Sequence, residues 1–184
     1  MQKLRTVIKF FIDQYPKMVD MPKRLTLLVF LADWRSVLTR GVPITNLRWV
    51  YDYLGFEPEG DGGLLASFYP RPDQRPSESL EKIESFVRLH GGEYHGLSNL
   101  EKDVLRHVIE TTHDLSFNEL LHLTRSTLPV ITAEPNKKMD LKKSAALHRE
   151  LFYSHSPKKN DSSNETNISQ KKPSSLNNLC SNIA

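Results

Sequence analysis

The sequence predicts a mainly α-helical, compact domain with a small β-hairpin and a disordered C-terminal tail. Three observations lead to this prediction. Apolar residues recur at helical spacing in several segments, and two Ser-x-x-Glu capping boxes stand before such segments. The segment 154–184 consists mostly of Ser, Asn and Lys, and it has too few apolar residues to offset the entropy of ordering. We therefore assign residues 1–153 to the helical domain and 154–184 to the tail.

The N-terminal part predicts three helices. The first is amphipathic, ends at Tyr15-Pro16, and has these residues on its apolar face: Leu4, Val7, Ile8, Phe11 and Ile12. The second is expected over 22–40, with Gly41 as its C-terminal stop, and its run 27–32 is apolar on every face, which is typical of a buried helix. The third is expected to follow Pro43, with Thr45 as N-cap, and to end at Leu54.

The middle of the chain is harder to interpret. Residues 56–79 are rich in Pro and Gly and predict a long loop, within which 64–69 also fits a short strand. Residues 80–95 fit both a helix and an alternating strand. We favour a short helix that runs into the β-hairpin, with the turn at Gly91-Gly92.

The C-terminal part predicts a helical hairpin and a final helix. Ser98 to Glu101 and Ser116 to Glu119 are the two capping boxes, and only a short link, 113–115, separates the helices behind them. Pro129 is expected to end the second of these helices. Asp140 is then expected to cap a last helix that reaches Tyr153.

Charge and cysteine content predict a cytoplasmic protein. The formal charge is +3, from 25 Lys+Arg and 22 Asp+Glu, and an acidic middle lies between basic ends. The chain has one cysteine, Cys180, so it cannot form an internal disulfide framework. The N-terminal residues lack a signal-peptide h-region, and the longest apolar run, 27–32, is far shorter than the roughly 20 residues of a membrane span.

Known catalytic patterns are absent from the sequence. The seven histidines show no metal-ligand spacing, and Gly60-Asp61-Gly62-Gly63 lacks the Lys-Ser/Thr of a phosphate loop. Cys180 lies in the predicted tail, where no base is held beside it. We therefore expect no catalytic residue, no metal and no cofactor, and we predict that the protein is not an enzyme.

The helical pair over 98–127 has the layout of a helix-turn-helix, which is the form of many DNA-reading motifs. A recognition helix needs exposed Arg, Lys, Asn or Gln with basic flanks. The exposed candidates are Asn118, Glu119, His122 and Arg125, and this helix carries no net charge. Nucleic acid is therefore a less favoured partner than protein.

Two places suggest a role beyond general packing. Asp33 directly follows the apolar run and, if buried, must be hydrogen-bonded, so we expect a polar tie between helices. The predicted third helix is rich in aromatic residues, which occur both in cores and as anchors of protein interfaces. Both interpretations of this segment stay open, and its candidate partner-binding residues are Arg48, Trp49, Tyr51, Asp52 and Tyr53.

Several short segments follow one another in a characteristic order between residues 22 and 150. These are the apolar helix ending in Ala-Asp-Trp (27–34), the Gly-Val-Pro-Ile-Thr turn (41–45), the Tyr-Asp-Tyr-Leu-Gly stretch (51–55), the helix start at 97–101 with Leu105, and the closing segments 115–120, 126–130 and 140–141. In the order of these segments the chain resembles the Panacea domain, the SocA-like or GepA-like antitoxin domain of toxin–antitoxin modules. One departure is Phe56, where the family usually has Pro.

The resemblance implies an antitoxin of a bacterium or phage. Such a protein binds and neutralises a cognate toxin, encoded by an adjacent gene, by direct protein–protein interaction. The toxin's identity does not follow from the family. We expect the contact surface to include Trp49 to Tyr53 and the acidic stretch 57–84, which would attract a basic toxin. The alternatives are a DNA-binding regulator of its own operon and an adaptor that delivers a bound partner to a protease.

Overall fold

The computed structural model describes residues 2–15, 22–52, 55–59, 81–82, 85–86 and 94–153. The described part is mainly helical, with one two-stranded antiparallel sheet, so the predicted fold class is confirmed. Its elements in chain order are α1 (Gln2–Gln14), α2 (Pro22–Arg40), β1 (Arg48–Asp52), β2 (Gly55–Glu59), α3 (Asn99–Thr112), α4 (Phe117–Arg125), α5 (Leu128–Ile131) and α6 (Leu141–Tyr153). The tail 154–184 and the strand predicted at 64–69 lie outside these residues.

Helix α2 is the centre of the core. Its segment from Leu27 to Ala32 is buried throughout, as the apolar run predicted, because α1, α3, α4 and α6 all pack against it. The helix begins at Pro22, where a missing N–H costs nothing. It ends at Gly41, whose φ of +76° is in the left-handed region that glycine adopts without strain. Both predicted ends of α2 are confirmed.

Helices α3 and α4 form the predicted helical hairpin. Both capping boxes are present. The Ser98 and Ser116 hydroxyls each accept from the backbone N–H three residues ahead, and the glutamate carboxylate at that position accepts from the backbone N–H of the serine. Arg24 on α2 reaches the connection, where its Nη2 donates to the carbonyls of Thr112 and Leu115 at 2.8 Å each. This side chain anchors the end of α3, whose last carbonyls have no partner within the helix.

The predicted third helix is wrong. Residues 48–52 form strand β1, which pairs antiparallel with β2 in the register Arg48 with Glu59 and Val50 with Glu57. This segment contains three β-favouring residues, Trp49, Val50 and Tyr51. It is extended because hydrogen-bonding partners lie on both of its sides. On its other side, Trp49 O accepts from Met139 N at 2.8 Å and Tyr51 O from Asn136 N at 2.7 Å.

One hairpin lies at 48–59, where none was predicted. The hairpin predicted at Gly91-Gly92 lies outside the described residues and stays a prediction, whereas 81–82 and 85–86 are helical as expected. A further prediction, about Pro129, is wrong. Pro129 does not end α4, which stops at Arg125. It occupies the first turn of the short helix α5 instead, where its missing N–H is harmless.

The end of the described chain follows the prediction. Asp140 accepts from Lys143 N at 3.0 Å through Oδ1 and so caps α6. Helix α6 packs on α2 and α5. Among the described helices, none has both the length and the apolar character needed to cross a membrane.

Candidate functional site

Asp33 is the centre of a buried polar cluster. Its carboxylate is fully buried and accepts hydrogen bonds from Thr45 N (2.7 Å), from the Thr45 hydroxyl and from Trp49 Nε1 (3.1 Å). A polar tie was expected here, but between helices. These hydrogen bonds instead join α2 to the loop before β1 and to β1 itself. Thr45 does not cap a helix, because its hydroxyl and its backbone N–H both donate to Asp33.

The same burial changes the acidity of Asp33. Burial raises the pKa of Asp33 to about 6, and the hydrogen bonds from Thr45 and Trp49 oppose a larger rise by stabilising the charged form. The Thr45 and Trp49 donors are neutral groups, so their dipoles, and no cation, stabilise the charged carboxylate. We interpret Asp33 as a structural residue that fixes the start of the hairpin.

The predicted partner-binding segment does not present one continuous face. Trp49 is 1% exposed and packs edge-on against Phe30, with ring centroids 5.2 Å apart, so it belongs to the core. Arg48 is exposed and Tyr51 is half-buried. The side chain of Asp52 and all of Tyr53 lie outside what the structure describes. Of the two interpretations left open for Trp49, packing in the core is the one the structure supports.

Glu101 is a second buried carboxylate, and its ionic role was not predicted. Oε1 accepts from Lys3 Nζ at 2.7 Å and lies 3.1 Å from Arg40 Nη1, while Oε2 accepts from Ser98 N at 2.8 Å. Burial alone would raise the pKa of Glu101, but Lys3, Ser98 and Arg40 together lower it to about 2. The capping box was visible in the sequence. The two cations come from remote positions, and no local pattern points to them.

An open groove lies between α5, the segment that follows it, and α6. Its volume is about 540 Å³. Its apolar lining comes from Pro129, Ala133, Met139, Ala146 and Leu147. Three lysines and three acids stand around this lining: Glu134, Lys137, Lys138, Asp140, Lys143 and Glu150. Sequence reasoning missed the groove because it depends on the path of the chain over 132–140, which is held by bonds to β1.

The C-terminal end of α6 exposes large apolar side chains. Leu151 is 52% exposed and Phe152 is 64% exposed. Phe152 stacks at 4.5 Å on the ring of His148, which is itself buried against Trp34. Burial first, and then the charge of Arg149, lowers the pKa of His148, so the neutral imidazole is favoured. We call Leu151 and Phe152 the terminal apolar patch.

The residues considered for DNA reading are on the surface. Asn118, His122 and Arg125 are exposed and follow helical spacing on α4, whereas the Glu119 carboxylate is engaged with Ser116 N at 2.8 Å. As for metals, the described residues contain no group of three or more His, Cys, Asp or Glu that is placed to hold an ion.

Comparison of the chain with protein-family models, with curated proteins and with solved structures gave no significant match. The resemblance to the Panacea domain therefore stays a prediction.

Proposed function

We propose that this chain acts by binding a partner protein, and that the partner is a cognate toxin held inactive in a stoichiometric complex. The terminal apolar patch supports the first part of the proposal, which is that the chain binds a partner protein. Leu151 and Phe152 are adjacent, large and mostly exposed. Apolar groups that remain exposed together on a folded surface are typical of protein-binding sites. The Panacea resemblance supplies the class of partner.

The engagement of the buried carboxylates also favours binding over catalysis. Asp33 is satisfied by Thr45 and Trp49, and Glu101 by Lys3, Arg40 and Ser98. Groups used in this way serve the structure, because removing a partner from a buried charge is costly. Arg48 and Tyr51 remain candidate contacts on the hairpin, and the acidic stretch 57–84 remains a candidate because of its sequence.

The test is co-expression with the product of each neighbouring gene. We expect one neighbour to arrest growth alone, to be harmless together with this chain, and to co-purify with it. The double variant Leu151→Asp/Phe152→Asp should lose both rescue and co-purification, because it places charges on the terminal apolar patch. Leu100→Asp is the matched control, since Leu100 is 65% exposed on a different helix. If no neighbour is toxic or bound, the toxin proposal fails.

A second candidate is regulation of its own operon through α4. The observation in its favour is the exposed set Asn118, His122 and Arg125 on one helix. Binding to the promoter fragment should then weaken as salt rises, and Arg125→Ala should reduce it. A lack of binding at low salt would remove this candidate.

A further inference from the structure

The charges of the open groove differ between its two ends. Three lysines and two acids stand in the segment that leads into α6 or in its first turn: Glu134, Lys137, Lys138, Asp140 and Lys143. Of these, Glu134 and Lys137 pair with each other, and Asp140 caps α6. Glu150 stands nearly two turns further along the helix. The groove is therefore basic where α6 begins and acidic at its other end.

Between these ends the groove is apolar. Leu147 lies one turn after Lys143 and nearly one turn before Glu150, and it is 37% exposed. Pro129 and Ala133 line the opposite wall. Within the described part of the chain, neither Lys143 nor Glu150 forms an ion pair. A matching ligand presents an acid, an apolar residue and a base in this order, and it is narrow enough to enter between two walls.

The chain's own tail contains such a segment. Glu165, Ile168 and Lys172 follow one another at a spacing of three and then four residues, which places them on one face if the segment is helical. Ile168 is the only Val, Leu or Ile between Tyr153 and Leu176. The three residues therefore repeat the acid, apolar and base order that the groove requires.

The sequence around these residues has the signals of a short helix. Ser162 and Glu165 form the Ser-x-x-Glu pattern that caps α3 and α4, and Pro173 would end a helix at 172. A capping glutamate can bind a lysine as well, since the Glu101 carboxylate accepts from both Ser98 N and Lys3 Nζ. A helix over 163–172 is too short and too polar to be stable alone, and the groove supplies the apolar contact that it lacks.

We propose that residues 162–172 bind in the open groove of the same chain, as a helix parallel to α6. Glu165 then lies beside Lys143, Ile168 against Leu147, and Lys172 beside Glu150. The parallel direction follows from the charges, because the acid of the segment comes first and the basic end of the groove is the start of α6.

The chain between α6 and this segment is long enough. The return path is about 20 Å along α6 and about 10 Å across to the neighbouring helix axis. From Tyr153 to Ser162 an extended chain spans up to about 30 Å. The tether also gives the segment a local concentration in the millimolar range, so that even a weak contact is populated.

The shape of the groove and the tether favour this occupant over a second copy. The wall over 129–140 stands opposite Leu147. The α6 helix of a second copy carries the same wall beside it, whereas a single tail segment has none. The tail of a second copy would compete only at protein concentrations near the millimolar local concentration.

Disulfide trapping in the full chain tests the proposal. Ala146 lines the groove beside Leu147, and Ser169 follows Ile168, so both positions lie on the same side of the contact when the helices are parallel. The test variant is Ala146→Cys/Ser169→Cys, which keeps Ile168 and Leu147. The matched control is Ala146→Cys/Ser175→Cys, whose tail cysteine lies beyond Pro173. Both variants carry Cys180→Ser, so that only the two introduced thiols react.

The rates under a mild oxidant distinguish docking from random encounters. A tail that does not dock should cross-link at the two positions with rates that differ by less than about twofold, because encounter falls only as about the −3/2 power of chain length. The docked segment should make the Ser169→Cys pair react at least about tenfold faster. Adding Ile168→Asp should bring that rate to within about twofold of the control pair.

Charge variants test the direction of binding. Glu150→Lys should slow the Ser169→Cys reaction about three- to fivefold, and adding Lys172→Glu should restore it, because the ion pair forms again with its charges exchanged. Lys171→Glu is the control for this rescue. It makes the same charge change one residue earlier, on another face of the helix, and it should not restore the rate. Recovery by Lys172→Glu also shows that Glu150→Lys leaves the domain folded.

Two outcomes would overturn the proposal. One is a pair of rates that agree within about twofold for Ser169→Cys and Ser175→Cys, which would mean that the tail does not dock in the groove. The other is a fast product that runs as a dimer on a non-reducing gel, which would mean that the tail of a second copy occupies the groove. No toxin enters this experiment, so its failure leaves the proposed neutralisation of a toxin untouched.

Discussion

Thr45→Val is the most informative perturbation of the Asp33 cluster. Valine keeps the size and shape of threonine but removes the hydroxyl that donates to the Asp33 carboxylate. Thr45 is 1% exposed, so no water replaces the lost donor without rearrangement. The backbone bond from Thr45 N to Asp33 and the bond from Trp49 remain. The substitution also removes the acceptor of a long hydrogen bond from Leu47 N, at 3.4 Å. That bond does not involve Asp33, so the pH dependence of the cost reports the bond to the buried carboxylate.

The expected cost depends on pH. A hydrogen bond to a charged group contributes about 1.5–3 kcal/mol, and a bond to a neutral group about 0.5–1.5 kcal/mol. Because burial raises the pKa of Asp33 to about 6, the carboxylate is mostly charged at pH 7.5 and neutral at pH 4.5. Thr45→Val should therefore lower the free energy of unfolding by about 2 kcal/mol at pH 7.5 and by about 1 kcal/mol at pH 4.5.

Urea denaturation followed by circular dichroism at both pH values measures this difference. Thr45→Ser is the control, because it keeps the hydroxyl and loses only a methyl group, at a cost of about 1 kcal/mol at both pH values. The contributions of other titrating groups to the unfolding free energy cancel, because each variant is compared with the wild type at the same pH. A Thr45→Val cost that does not change with pH, or a cost at pH 7.5 that is no larger than that of Thr45→Ser, would contradict this prediction.

Three further stability predictions follow from the buried residues. In the folded chain the pKa of Asp33 is about 6, above its ordinary 3.8, so the folded state holds this proton more tightly. The wild type should lose up to about 3 kcal/mol of unfolding free energy as the pH rises from about 4 to about 6, and Asp33→Asn should not. Urea denaturation over this pH range measures the loss, and an equal loss in both proteins would contradict the prediction. For Glu101 the sign is opposite, because its folded pKa of about 2 lies below 4.5. Its contribution, up to about 3 kcal/mol, is present above pH 4.5 and is lost as the pH falls towards 2, so Glu101→Gln should be less stable at pH 7 and less sensitive to acid in the same assay. Finally, Leu105→Ala should cost about 2–5 kcal/mol, whereas Leu100→Ala, 65% exposed on the same helix, should change stability by no more than about 0.5 kcal/mol; equal effects in thermal melts would contradict the described packing of α3.

The helices could be predicted because their signals are local. Pro22 and Gly41 mark the two ends of α2, and the Ser98 and Ser116 boxes mark the starts of α3 and α4. Each signal acts through a backbone group within a few residues, so sequence neighbours are enough to recognise it.

Strand β1 could not be predicted because its partners are remote. Its segment has enough apolar residues to pass for a helix, and Thr45 looks like an N-cap. In the fold Thr45 is bound to Asp33, and β1 pairs on one side with β2 and on the other with 136–139. Tertiary pairing therefore overrode the local pattern.

In the candidate sites, too, local features could be predicted and remote partners could not. Burial and hydrogen bonding of Asp33 followed from its place after an apolar run, but its partners Thr45 and Trp49 did not. The groove beside Leu147 had one sequence signal, the apolar pair Leu147 and Leu151 at helical spacing on α6. That spacing alone does not predict a groove, because the groove also needs its opposite wall, which residues between 129 and 140 form.

The proposed neutralisation of a toxin by stoichiometric binding is tested most directly by titrating the purified toxic neighbour with this chain. The toxin's own activity is the readout. We predict that activity falls linearly and reaches zero at one equivalent of chain, and that the Leu151→Asp/Phe152→Asp variant leaves the activity unchanged. Complete inactivation by a small fraction of an equivalent would show turnover and contradict the claim. Full activity in excess chain would contradict it as well.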